Sequence, residues 1–175
     1  MVWLYLPKKP DSFQSAETDC TSYFIVRSYA YDETGLYFTG GGNGPYYGIR
    51  WQNTDSLHSL HYLQALLNSN LLDFYLHQIS SPFRGGYWSY GKRFIEQLPI
   101  RAIDFDDPTD KARHDQMVAL VERMLELYRQ LAEAKVPQTR TMLKRQIQAV
   151  DAQIDRLVYQ LYNLTEAEIK IVEGQ

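Results

Sequence analysis

The 175-residue chain has one cysteine, Cys20, so no internal disulfide is available to it. It has no apolar run long enough to span a membrane, and its opening lacks the charged-then-apolar pattern of a secretory leader. The expected compartment is therefore the cytoplasm, with no membrane partner. A basic surplus is also missing: 18 Lys and Arg stand against 21 Asp and Glu, for a formal net charge of -3 and a pI of about 5.8. Neutralisation of phosphates by Lys and Arg dominates nucleic-acid affinity, so this balance counts against a strong stand-alone DNA binder. Catalytic signatures are absent too. A phosphate-cradling loop needs Gly-Lys-Ser or Gly-Lys-Thr opening a helix, whereas Gly40-Gly41-Gly42-Asn43-Gly44-Pro45-Tyr46 runs into a predicted strand. Cys20 has no indicated base or oxyanion pocket, and His58, His61 and His77 lack the carboxylate or cysteine spacing of a metal site. No catalytic residue, metal or cofactor is expected.

What is present suffices for a core, because 45% of the residues are hydrophobic and the length is that of one module. The first 52 residues are rich in aromatic and β-branched types broken by Gly, Asp and Asn. They predict strands at Tyr23–Tyr29, Gly35–Thr39 and Tyr46–Trp51, with a loop at Gly40–Gly44. Thr54, Asp55 or Ser56 can cap a helix running to about Leu67, and Asn68-Ser69-Asn70 offers a stop and a fresh cap for a second helix to about Gln78. Gly85–Tyr90 predicts a turn with flanking extended chain, ending at Leu98-Pro99-Ile100, where the proline pushes Leu98 out of the helical region.

The remainder is helical. Asp107 caps, Pro108 takes the first helical position, and Met117, Val121, Met124, Tyr128 and Leu131 form one apolar seam. After Pro137, Leu143, Ile147, Val150, Ile154, Leu157 and Leu161 form a matching one, so the short link predicts an antiparallel hairpin. Asn163 ends it, and Thr165 with Glu168 predicts a capping box for a last short helix. The expected class is α+β: a β-rich N-terminal half with two short helices, then a long antiparallel helical hairpin and a short terminal helix. The expected division is residues 1–103 and 104–175, packed as one module.

Charge is distributed unevenly along this plan. Residues 1–103 carry eight Lys or Arg and eight Asp or Glu, whereas residues 104–175 carry ten and thirteen. Within Ser80–Ile103, Arg84, Lys92, Arg93 and Arg101 face Glu96 alone. Arg84, Gly85, Gly86, Tyr87, Trp88, Tyr90, Lys92 and Arg93 are the candidate DNA-binding residues. Arginine can fork onto a guanine edge or a phosphate, aromatic rings can stack on bases, and glycines let the backbone approach closely. The competing reading is a surface hairpin whose aromatics cover the core and whose cations are simply solvated.

Four segments also resemble a known family: Leu66-Leu67-Asn68-Ser69, Pro82-Phe83-Arg84-Gly85-Gly86-Tyr87, Leu98-Pro99-Ile100 and Val158-Tyr159-Gln160-Leu161-Tyr162-Asn163-Leu164-Thr165. Their order and spacing over roughly the whole chain resemble the TaqI-type C-terminal specificity domain. That domain is the target-reading part of adenine-N6 DNA methyltransferases and of fused restriction-modification enzymes. The resemblance implies a non-catalytic recognition module, with double-stranded DNA and a methyltransferase catalytic domain, in the same polypeptide or a partner, as its partners. Asn43-Gly44-Pro45-Tyr46 only mimics the catalytic Asn-Pro-Pro-aromatic motif, because Gly44 departs from it, and a methyl-donor fold would need far more chain than precedes Asn43. The alternative is a protein-protein interaction module built on the helical hairpin. A methyl-donor fold with that motif encoded upstream would favour the first reading; its absence from the gene and its neighbours would favour the second.

Overall fold

The computed structural model describes residues 3–7, 29–32, 46–49, 59–83 and 87–174. Among these, six helices dominate. The two longest are α4, Pro108–Glu133, and α5, Pro137–Leu161, of 26 and 25 residues. Local chemistry starts and stops them: the Asp107 carboxylate accepts from the Thr109 amide at 2.8 Å, and Pro108 gives up no amide that the first turn would use. Residues 134–136 reverse the chain. Arg140 Nη1 then donates to the carbonyls of Leu131 and Ala134, both at 3.0 Å, closing the end of α4. At the far end Asn163 takes a positive φ of 54°, a conformation that asparagine tolerates. Thr165 and Glu168 form the capping box of α6, Glu166–Val172.

The hairpin buries more than the seam between its arms. Leu120 and Leu127 of α4 and Val158 of α5 are buried although they lie off the heptad positions. The cause is two further helices, α1 at Leu60–Leu67 and α2 at Asn70–Ile79, which pack against α4 and α5 respectively. They contribute Tyr62, Leu66, Leu72 and Leu76, all nearly inaccessible, each leucine worth roughly 2 kcal/mol on burial. Asp155 of α5 is buried and accepts from the backbone amide of Asn70 at 2.8 Å and from its side chain at 2.6 Å. A carboxylate thus sits at the amino end of α2, where orphan amides and the helix dipole favour it.

Strands are short. β1, Trp3–Pro7, pairs antiparallel with β2, Ala30–Asp32, on one side and with β3, Tyr46–Ile49, on the other. A two-stranded ribbon pairs β4, Pro82–Phe83, with β5, Tyr87–Trp88. The expected α+β class with a β-rich N-terminal half is therefore overturned: the described residues are mostly helical, and their strands run only two to five residues. Aromatic and β-branched composition reports a fit to half-buried surface more than a backbone preference, so it overweighted strand here. A second correction concerns Lys92–Ile95, expected to be extended and in fact a single helical turn, α3, anchored by the buried Phe94. The helix cap expected at Thr54, Asp55 or Ser56 is taken by Ser59, whose hydroxyl accepts from the His61 amide at 3.1 Å. Those three residues, Cys20, His58, Gly35–Thr39, Gly40–Gly44 and all but the last residue of Tyr23–Tyr29 lie outside the described residues.

Candidate nucleic-acid interface

Three of the four resemblance-carrying segments turn out to be posts of the frame. In the first, the Asn68 side chain accepts from the Tyr29 amide and donates to the Tyr29 carbonyl, each at 3.0 Å, while Gln64 donates to that same carbonyl. The strand that begins at Ala30 is thereby clamped to α1. Ser69 caps α2 by accepting from the Leu72 amide. The third and fourth segments meet each other: Tyr162 Oη donates to the Pro99 carbonyl at 2.6 Å, and the Arg101 amide donates to Tyr162 Oη at 3.2 Å. Tyr62 Oη holds the Arg101 carbonyl at 2.9 Å. Burial pushes both phenols above their ordinary pKa, so they stay protonated donors.

Arg101 contributes to the basic balance of Ser80–Ile103, but its guanidinium is committed. It forks onto the buried carboxylate of Asp110 at 2.9 and 3.2 Å, and Arg113 adds a contact at 3.4 Å. The hydrogen bond from Arg101 holds the Asp110 carboxyl below its usual range, against the opposing effect of burial. A carboxylate whose folded pKa is depressed stabilises the fold above its unfolded pKa, about 3.9, and loses that contribution as pH falls through the lower folded value. Thermal melts across pH 2 to 6 should therefore show a steeper acid-side loss for the native chain than for Asp110→Asn. Parallel curves would remove the pair from the pH dependence. His114, which the sequence did not single out, is buried beside this corner. Its Nε2 accepts from the Ser59 amide at 3.3 Å, which leaves Nδ1 as the protonated nitrogen, 3.0 Å from Asp115 Oδ1.

The remaining segment, at 82–87, is described only in its two short strands. Pro82 pairs with Trp88 and Phe83 with Tyr87, and Arg84, Gly85 and Gly86, which join the two strands, lie outside the described residues. The ribbon is tied at its base, where the Ser89 amide donates to the Ser81 carbonyl at 3.1 Å and Ser80 Oγ to the Ser89 carbonyl at 2.5 Å. Trp88 and Tyr90 are half-buried, and both turn towards α2. The Trp88 ring stacks on His77 with centroids 4.7 Å apart and planes at 20°. Tyr90 Oη donates to Asp73 at 2.5 Å and lies 3.4 Å from His77 Nε2. Lys92 and Arg93 are exposed on α3. Lys92 lies 3.3 Å from Glu96, and the Arg93 guanidinium sits 4.4 Å above the Phe94 ring.

The structure thus brings Trp88, Tyr90, Lys92 and Arg93 to one edge beside α2 and adds two residues that the sequence reading assigned elsewhere or passed over, His77 and Asp73. Their spacing, four apart on one helical face directly ahead of an aromatic hairpin, was the available signal. Of the histidines weighed as a metal set, His58 lies outside the described residues, His61 lies 3.9 Å from Glu122 and His77 stacks on Trp88.

The described residues thus form a helical frame that carries a short ribbon, with the exposed cations Lys92 and Arg93 on the helical turn that follows it. Residues 21–100 match the TaqI-like C-terminal specificity domain. The matched stretch holds the first three resemblance segments; the fourth, at 158–165, lies beyond it. The type II restriction enzyme and methyltransferase RM.Eco57I of Escherichia coli is 29% identical to this chain over 147 residues, covering 83% of the chain and 14% of that protein. The chain therefore spans about one-seventh of that relative's length. No solved structure matches.

Proposed function

We propose that this chain is the DNA target-recognition module of a restriction-modification adenine-N6 DNA methyltransferase, and that it carries out no chemistry itself. One observation carries the reading. Three of the four family-like segments make internal hydrogen bonds that build the frame, and the strands Pro82–Phe83 and Tyr87–Trp88, at the remaining one, form a ribbon that leads into the exposed cations Lys92 and Arg93. Duplex DNA is the partner that a basic, aromatic, glycine-containing ribbon suits, with a methyltransferase catalytic domain as the second partner. Separation of labour fits the chemistry, because a domain that extrudes a base benefits from a second one that holds the flanking duplex.

With Arg101 engaged by Asp110 and Lys92 beside Glu96, the free cationic surplus is small. Stand-alone affinity for duplex should fall in the non-specific range, about 10 to 100 micromolar near physiological salt, and tethering to a catalytic domain would raise the effective concentration. Replacing Arg84, Lys92 and Arg93 together by Ala should lower the salt slope of duplex binding by about 2 to 3, read by fluorescence anisotropy across a salt series. An unchanged slope would remove this segment from the DNA surface. In the complete enzyme, Arg84→Ala should relax preference at one base position by about 1–3 kcal/mol if Arg84 reads a base, and weaken all sites alike if it touches phosphate. Nucleoside analysis of the methylated product tests the adenine-N6 assignment, and methylcytosine would overturn it.

A second reading, docking of a protein on the hairpin, is favoured by one feature. Val136, in the link between the arms, and Met142, in the second turn of α5, are 53% and 52% exposed. Val136→Ser with Met142→Ser leaving both assembly with the catalytic domain and methylation unchanged would dismiss it.

A further inference from the structure

We propose, resting on the DNA-contact reading above, that His77, Asp73 and Tyr90 are positioning residues that set the Trp88 indole for stacking against duplex DNA. The two aromatic candidates of the ribbon thereby separate into different roles. Tyr90 is a strut, because its hydroxyl is committed to Asp73 at 2.5 Å and its ring stands edge-on to His77, with centroids 6.4 Å apart and planes at 78°. Trp88 keeps partial exposure and lies flat on the imidazole.

The support runs back to the core in rigid steps. Asp73 and His77 are one helical turn apart on α2, and that helix is fixed by the buried Leu72 and Leu76 and by the Asp155 carboxylate at its amino end. Asp73 Oδ1 lies 3.7 Å from His77 Nε2, and Tyr90 Oη reaches both side chains. The imidazole is thus gripped along its Nε2 edge by a carboxylate and a phenol while its face meets the indole. Fixing the indole in advance lowers the ordering entropy lost when a base or sugar stacks on it. The stack uses the flat face of the ring, so it needs an aromatic ring at position 77 more than it needs a charge.

The chain labelled with 5-fluorotryptophan carries three indoles, Trp3, Trp51 and Trp88, and Trp88→Phe assigns the Trp88 fluorine line. Without DNA, His77→Gln should shift or broaden that line, whereas His77→Phe, which keeps a flat ring, should leave it near its native position. In duplex titrations His77→Gln and Trp88→Ala should each weaken binding about tenfold, and the double variant should bind no more weakly than Trp88→Ala alone, because His77 acts through Trp88. His77→Phe should restore most of the affinity. A native fluorine line in His77→Gln, or losses that multiply in the double variant, would overturn the proposal. So would Trp88→Ala binding duplex as tightly as the native chain. That last result, obtained with the salt slope still dependent on Arg84, Lys92 and Arg93, would sink the Trp88 role and leave the DNA-recognition reading standing; loss of the salt dependence as well would sink both.

Discussion

Val158→Asp should destabilise the chain by about 4 kcal/mol, the largest loss expected from a single substitution here. Val158 is 0% exposed and belongs to the same core as α1, α2 and both hairpin arms, so a carboxylate there must be dehydrated without a partner or must break the packing. For a chain of this length that loss corresponds to a fall in Tm of roughly 10 °C or more. Ile147→Asp and Leu157→Asp, on the seam between the arms, should move Tm in the same direction by several degrees, since both are buried. Melts followed by circular dichroism decide it. A native Tm for Val158→Asp would mean that this side of α5 faces solvent.

The second large effect is expected at Asp155. Its carboxylate, only 7% exposed, satisfies the backbone amide and the side chain of Asn70 at the start of α2. Asp155→Leu would leave that amide unpaired in a buried place and should cost about 2–3 kcal/mol. Asp155→Asn, which keeps one accepting oxygen, should lose roughly half as much. Hydrogen exchange at the Asn70 amide separates the two variants from a general loss of packing: it should accelerate in Asp155→Leu well before the amides of α4 do. Uniform acceleration across α2 and α4 would show that the carboxylate caps nothing in particular. Because α2 carries Asp73 and His77, the same variant should also disturb the Trp88 fluorine line.

Much of the helical part was legible in sequence because its determinants are local. Asp107-Pro108, Asn163 and the Thr165–Glu168 box act within one helical turn, and Ser69 caps its own helix three residues on. The heptad positions of both arms mark a seam whose α5 members are all buried, with Met124 and Tyr128 of α4 only partly so. Asn68, Ser69, Pro99 and Tyr162, which lie in the segments that carry the resemblance, are hydrogen-bonded posts of the frame.

The class of the fold was not legible. Aromatic and β-branched residues before α1 looked like the makings of a sheet, yet in the described residues only short strands form and the helices supply the core. Whether a tyrosine or tryptophan edges a sheet or packs on a helix depends on surfaces that the local sequence does not contain. The same limit hid the widened apolar stripe at Leu120, Leu127 and Val158, which exists only because α1 and α2 cover the hairpin. The candidate site divides along the same line.

Its cations and rings could be named from Arg84 to Arg93 by composition alone, as residue types suited to phosphate and base. Which partners the described ones meet was decided by contacts across the chain. Arg101 was spoken for by Asp110, Asp155 reached 85 residues back to Asn70, and His77 turned from a conceivable metal ligand into the support of Trp88. Caps, seams and turn residues are written in the sequence because their energies are settled between near neighbours. The burial of a charge, the availability of an arginine and the tilt of an indole depend on which distant side chain arrives beside them, and only the packed chain brings those partners together.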